Sequence, residues 1–423
     1  MGQQQQKPSK AEKSLIMGNK TFWIGNGTVV LPDRMVPKGS VTIRDGRVAD
    51  ISGACPPDAC IVDADGGYIL PGFIDMHLHG GGGADFMDAT PEVFHIAAET
   101  HCQHGTTAMV PTTMTCEDGL LEKVIRCFLE AKKKQGRGAE LLGLHLEGPF
   151  FSAAGKGAQP VEGERIPTRE KLEHFIRLGE GHILRWDASP EIPNAALFAK
   201  VMHENGIMAS AAHTTAIAKE AYEAFDAGFS HVTHFYSATS ASRKINGIVY
   251  GGLNEATLLR DDITIEIIAD GRHIPLENMV LAYRIKGADK MALITDAMRA
   301  AGTDAVHSVL GAKDSGVPVV IKDGVAQLPD FSFYAGSIAT MDWALRVAHV
   351  QYGIPLTDVS KMLSLTPARL SGCADRKGSL EKGKDGDVVV MNRNFFVRHV
   401  FVNGILRYEN QNPTEIEIQS LKV

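Results

Sequence analysis

Ile207–His213 reads I-M-A-S-A-A-H, and His231–His234 reads H-V-T-H. Each is a short apolar run closed by a histidine, so His213 and His234 sit where two successive strands would end. Outward from this pair the same pattern recurs. His77-Leu78-His79 closes P-G-F-I-D-M, Glu147 closes G-L-H-L-E, and Asp296 closes A-L-I-T. Imidazole and carboxylate are the donors that zinc, iron and manganese take from proteins. A site that collects such donors from distant strand ends is the layout of a parallel β/α barrel, whose chemistry sits at the strand C-termini.

The centre of the chain alternates strand-like and helix-like runs, the mark of parallel βαβ units. Eight strands are expected, at Gly72–His77, Thr106–Pro111, Leu141–Leu146, Ile183–Ala188, Ile207–Ala212, His231–His234, Thr264–Ala269 and Met291–Thr295. Helical stretches such as Thr90–His101, Asp118–Lys134, Asn194–Glu204 and Ile217–Ala227 lie between them. That number of units in one stretch predicts an α/β fold of the (β/α)8, TIM-barrel type. An open doubly wound sheet would need a phosphate loop after its first strand, and Gly80–Gly83 is not followed by a G-x-G-x-x-G helix start. The ends of the chain read as short strands and turns, with a hairpin signal at Asp45-Gly46. The reading is a disordered tail at 1–18, a small β-sandwich shared between 19–70 and 376–423, and the barrel at 71–375.

Composition narrows the function classes. The net charge of −7 gives no electrostatic case for nucleic acid or an anionic membrane. No apolar run approaches the roughly 20 residues of a membrane span. Cys55, Cys60, Cys102, Cys116, Cys127 and Cys373 are scattered with no C-x-x-C pair, which fits a reducing, cytoplasmic setting and inert thiols. The opening M-G-Q-Q-Q-Q-K-P-S-K lacks the apolar core of a signal peptide.

His77 and His79 share one face of an extended segment, because side chains alternate with period two, so both reach one ion. Glu147 precedes Gly148-Pro149, a turn that would hold its carboxylate at the barrel mouth, and His145 alternates with it as a partner that orients a ligand. A carboxylate such as Asp296, beside an activated water, can take its proton and hand it to a leaving group. His101, His104 and His203 fall in helical or loop stretches and read as structural.

Pro71–Gly80 (P-G-F-I-D-M-H-L-H-G), Leu144–Pro149 (L-H-L-E-G-P), Ala212–His213, Thr233–Ala238 (T-H-F-Y-S-A), Ala269–His273 (A-D-G-R-H) and Leu293–Ala297 (L-I-T-D-A) carry a resemblance. In order and spacing they resemble the N-acetylglucosamine-6-phosphate deacetylases of the amidohydrolase superfamily. The resemblance spans about residues 20–410, and H-L-E-G-P with A-D-G-x-H is its most specific part. It implies a barrel plus β-sandwich, a homodimer, and hydrolysis of the N-acetyl group of a sugar phosphate. It implies Glu147, His213 and His234 as metal ligands, with His77 and His79 completing a second position in some members. The metal would be zinc first, with iron, manganese or cobalt as alternatives, at one or two per chain. Asp296 matches the catalytic acid/base, Ala238 and His273 match substrate contacts, and Ser337 lies in a strand beside the sugar.

The chain departs from the family at three points. Ser237 replaces an Asn, and Gln159 stands where a His often polarises the acetyl carbonyl. The shortened phosphate loop leaves Arg243 or Lys244 to match an Arg that, in the family, reaches into the neighbouring subunit's site. The alternatives are the galacto epimer as substrate, a cyclic amidohydrolase or deaminase bridged by a carbamylated lysine, and a non-catalytic scaffold of the same fold. No strand-end lysine is present for the bridged type, and loss of ligands would mark the scaffold.

Overall fold

The computed structural model describes residues 20–134, 136–160 and 165–410, so the tail expected at 1–18 lies outside the described residues. Eight strands form the centre: β1 (Phe73–Leu78), β2 (Thr106–Pro111), β3 (Leu144–Phe150), β4 (Ile183–Ala188), β5 (Met208–Ala211), β6 (His231–Val232), β7 (Thr264–Ile268) and β8 (Met291–Ile294). β1 pairs with β2, and β3 to β8 each pair with the next, all in parallel. Parallel bridges Thr112–His145 and Leu78–Ala297 join the two sheets at both edges and close the ring. The expected barrel is therefore a closed one.

The strand residues explain why the barrel holds. On β1, Ile74 and Met76 face an outer apolar core while Asp75 and His77 are buried on the other face. On β3, Leu144 and Leu146 face the helices, while His145 and Glu147 point inward. On β4, Trp186 and Ala188 face out, and Arg185 and Asp187 are buried within. This period-two alternation drives the helices onto the outside and leaves a polar interior. Helices Pro91–Cys102, Asp118–Lys133, Ala195–Glu204 and Ala218–Ala227 stand within a residue of their expected limits. Pro91 opens the first of them, where a missing N–H costs nothing.

Three of the strands that stop earlier than the sequence suggests do so just before a donor. β5, β6 and β8 end before His213, His234 and Asp296, which have left-handed backbones with φ of 46°, 32° and 49°. A left-handed residue turns the chain out of the regular extended geometry, so each of these side chains is aimed into the barrel mouth just past its strand.

Strands from both ends of the chain form one eight-stranded sheet. The junction is Tyr68–Pro71 running antiparallel to Val388–Met391. Ile24, Val41, Ile69, Val388 and Phe401 share its core. Asp45 and Gly46, both at positive φ, make the two-residue turn between Met35–Arg44 and Arg47–Ile51. A separate, antiparallel sheet of His307–Leu310, Val317–Lys322, Val325–Gln327 and Tyr334–Ser337 was not expected. It hangs from the end of β8 through an Ala297–Ser337 bridge. Among the described residues no helix is long and apolar enough to cross a membrane. All six cysteines are free.

Candidate metal centre and substrate cleft

The six donors meet at the mouth of the barrel. Glu147 Oε1 lies 3.0 Å from Nε2 of both His213 and His234, and those two nitrogens are 3.2 Å apart. A tetrahedral ion with bonds of about 2.0–2.1 Å spaces its ligand atoms about 3.3 Å apart, so this triangle has the dimensions of a ligand face. His79 Nε2 is 3.3 Å from Glu147 Oε2 and 3.2 Å from Asp296 Oδ1. His77 Nε2 is 3.5 Å from Asp296 Oδ1 and 3.8 Å from Glu147 Oε1. Two three-residue clusters could thus hold an ion, one of Glu147, His213 and His234 and one of His77, His79 and Glu147. His77 Nε2 is buried with no hydrogen-bond partner, an orphan that an ion would satisfy. The donors are nitrogen and oxygen only, which suits zinc-like divalent ions. His234 Nδ1 donates to Ser237 O at 2.9 Å, which leaves its Nε2 lone pair for the centre.

Electrostatics set the protonation states of the metal-free chain. Burial works against charge on Glu147, but hydrogen bonds from His213 and His234 and the charge of His79 outweigh it, and its pKa falls well below the carboxylate range. Burial opposes Asp296 too, yet the hydrogen bond from His79 and the charge of His79 lower its pKa. Burial also disfavours charged His79 and His234, but Asp296 and Glu147 overcome it and raise both to about 9. A raised histidine pKa stabilises the fold fully below its unfolded value of 6.5, and that contribution disappears as pH climbs through about 9. The chelated protein should therefore melt progressively lower between about pH 6.5 and 9, while the zinc-loaded protein keeps its midpoint. Thermal melts of both forms across that window check this. A flat midpoint in the chelated form counts against charged histidines at the centre.

A cavity of about 780 Å³ opens above the donors. Gln159, Ser237, Ala238, Arg243 and His273 line it. The Gln159 amide donates to Glu147 Oε2 at 2.6 Å and accepts from Thr115 N at 3.0 Å. His273 is held by Asp270 Oδ2 at 2.7 Å from Nδ1. The guanidinium of Arg243 donates to Thr215 O of its own chain. Lys244, next along the hairpin Arg243–Tyr250, is exposed and outside the cavity lining. Ser337 is buried, with its hydroxyl donating to Thr295 O at 2.5 Å; Gly336, not Ser337, lines the cleft.

Some lining residues were not foreseen. Lys156 is an exposed cation at the rim, and Phe331, Phe333 and Tyr334 reach the cavity from the inserted sheet. Below the donors, Glu266 Oε1 meets His77 Nδ1 at 2.7 Å. The signal for Glu266 was a charge at one alternate position of the apolar run T-I-E-I-I.

Residues 68–406 match the model of the amidohydrolase family. The N-acetylglucosamine-6-phosphate deacetylase of Lysinibacillus sphaericus is 33% identical over 390 residues, covering 92% of this chain and 98% of the relative. The N-acetylgalactosamine-6-phosphate deacetylase of Escherichia coli O157:H7 is 30% identical, covering 86% of this chain and 93% of the relative. The crystal structure of N-acetylglucosamine-6-phosphate deacetylase from Pasteurella multocida superposes with a TM-score of 0.85 at 28% identity, over 92% of this chain and 100% of that one. With strand-end histidines and acids converging in a closed barrel, these likenesses have one reading: the chain belongs to the amidohydrolase family.

Proposed function

We propose that the protein is a metal-dependent deacetylase that hydrolyses N-acetylglucosamine 6-phosphate to glucosamine 6-phosphate and acetate. The observation that carries this reading is the Glu147–His213–His234 triangle facing Asp296 at the floor of the cleft. Zinc is the favoured ion, at one or two per chain, with Glu147, His213 and His234 as the first ligand set and His77 and His79 as the second. A divalent ion there supplies Lewis acidity, making water more acidic and the acetyl carbonyl more electrophilic.

The chain's own residues do the rest. Asp296 is ionised, so its carboxylate accepts the proton of the attacking water and returns it to the departing amine nitrogen. Gln159 spends one N–H on Glu147, and the amide has a second N–H to offer the acetyl oxygen as charge builds there. Ser237, Ala238 and His273 line the wall against which the sugar would lie.

For the phosphate we favour Arg243 over Lys244, because Arg243 lines the cavity of its own chain and a guanidinium suits a dianion. A homodimer is the proposed assembly, with the exposed Ile245, Ile248 and Val249 of the hairpin covered by the second copy. The second substrate reading, the galacto epimer, is favoured by the E. coli O157:H7 relative. Convergence of all six donors argues against a scaffold.

Acetate release from the two epimeric phosphates and from unphosphorylated N-acetylglucosamine, with metal analysis on the same sample, tests the proposal. The gluco phosphate should win, and chelation should stop release. Arg243→Ala should raise KM for the phosphate by roughly ten- to a hundredfold, as expected for a lost charge-assisted contact of about 1.5–3 kcal/mol, with kcat much less affected. Mixing Arg243→Ala with Asp296→Asn protein should restore nothing, because Arg243 serves its own site. Recovery on subunit exchange would assign it to the neighbour's.

A further inference from the structure

Inside the barrel, beneath the donors, lies a buried polar chain that the hydrolysis does not use. Arg185 of β4 grips Glu266 of β7 with both terminal nitrogens, Nη1 on Oε2 and Nη2 on Oε1 at 3.0 Å. Glu266 Oε1 meets His77 Nδ1 at 2.7 Å. On the other side Arg185 Nη2 reaches His145 Nδ1 at 2.6 Å, and His145 Nε2 lies 2.8 Å from Asp187 Oδ1, off the best hydrogen-bond direction. All five side chains are buried.

The proton positions along this chain follow from what each group can do. Arginine only donates, so His145 Nδ1 must accept, and the His145 proton sits on Nε2 facing Asp187. Glu266, paired with arginine, is an ionised acceptor, so His77 must carry its proton on Nδ1. Arg185 Nη2 also lies 3.3 Å from that nitrogen, but its hydrogens are engaged by Glu266 and His145. The Nε2 of His77 is left with its lone pair directed at the donor cluster and with no other partner.

His77 needs this more than the other histidines. His79, His213 and His234 each have a carboxylate within 3.3 Å of Nε2, whereas the two nearest to His77 Nε2 are 3.5 and 3.8 Å away. Its orientation therefore hangs on Nδ1. A lone buried Glu266 would be costly, and Arg185 makes its charge tolerable there.

We infer that Glu266, backed by Arg185, is a positioning residue that fixes the tautomer and aim of His77 and so decides whether the second metal position fills. This rests on the reading of the mouth as a metal centre, not on the identity of the sugar.

The test is zinc binding by the full chain, followed by calorimetry and by metal analysis after dialysis. Wild type should bind two zinc ions. Glu266→Gln should keep the ion held by Glu147, His213 and His234, and bind the other roughly 10–100-fold more weakly, the usual effect of losing a ligand's supporting carboxylate. If the unpaired Arg185 unfolds that variant, Arg185→Met with Glu266→Gln removes both charges and should show the same selective weakening. In zinc-free wild type, imidazole ¹⁵N spectra assigned with His77→Gln should put the His77 proton on Nδ1. In the variants it should spread to Nε2. A general loss of packing would weaken both ions together.

Wild-type affinity for both ions in a folded variant, or a wild-type chain that holds a single zinc, overturns the inference. Acetate release by the wild type is scored separately, so failure of the deacetylase reading leaves the zinc counts to decide.

Discussion

Glu147→Ala should empty both metal positions and bring acetate release down to the level of chelated enzyme. Glu147 is the one residue common to both donor clusters. Its Oε1 touches His213 and His234, and its Oε2 touches His79. Without it, neither trio has a carboxylate to balance the ion, and the histidines near 3 Å from one another lose the anion that held them together. His213→Ala should cost the first position alone. Metal analysis after dialysis, run beside acetate release, separates the two variants. A Glu147→Ala protein that retains tightly bound metal and turns over would remove Glu147 from the centre.

Asp296→Asn should lower kcat by roughly 10²–10⁴, the range of a positioned proton transfer, and change KM little. The amide keeps the size of the carboxylate but cannot accept the water proton. The Glu147–His213–His234 triangle does not include Asp296, so the metal held there should remain. That retention distinguishes a lost acid/base from a collapsed site. Near-normal kcat with metal bound would take Asp296 out of the reaction.

The barrel was legible because its strands announce their ends. A histidine or acid closing an apolar run is rare enough that His77, Glu147, His213, His234 and Asp296 together mark both the fold and the mouth. What lay one layer deeper was not legible. Arg185 and Glu266 each stand at one alternate position of a strand, and period two says which residues share a face but not that the face is a dry interior. Only the ring closure, through Thr112–His145 and Leu78–Ala297, brings them together. The choice between Arg243 and Lys244 had the same origin. Neighbours on an extended hairpin point opposite ways, and the direction of the cleft is a tertiary fact. Asp323-Gly324 carries the same hairpin signal as Asp45-Gly46, and both residues have positive φ. It went unread because Pro318 interrupts the run before it, and proline ordinarily argues against a strand.

The left-handed backbones at His213, His234 and Asp296 set stability against chemistry in this chain. Each holds a side chain over the mouth at a conformational cost of about 1–3 kcal/mol, which glycine would not bear. Glycine would adopt the same turns without that strain but would bring no donor atom, so the strain belongs to the aiming of the side chains and not to the closing of the ring.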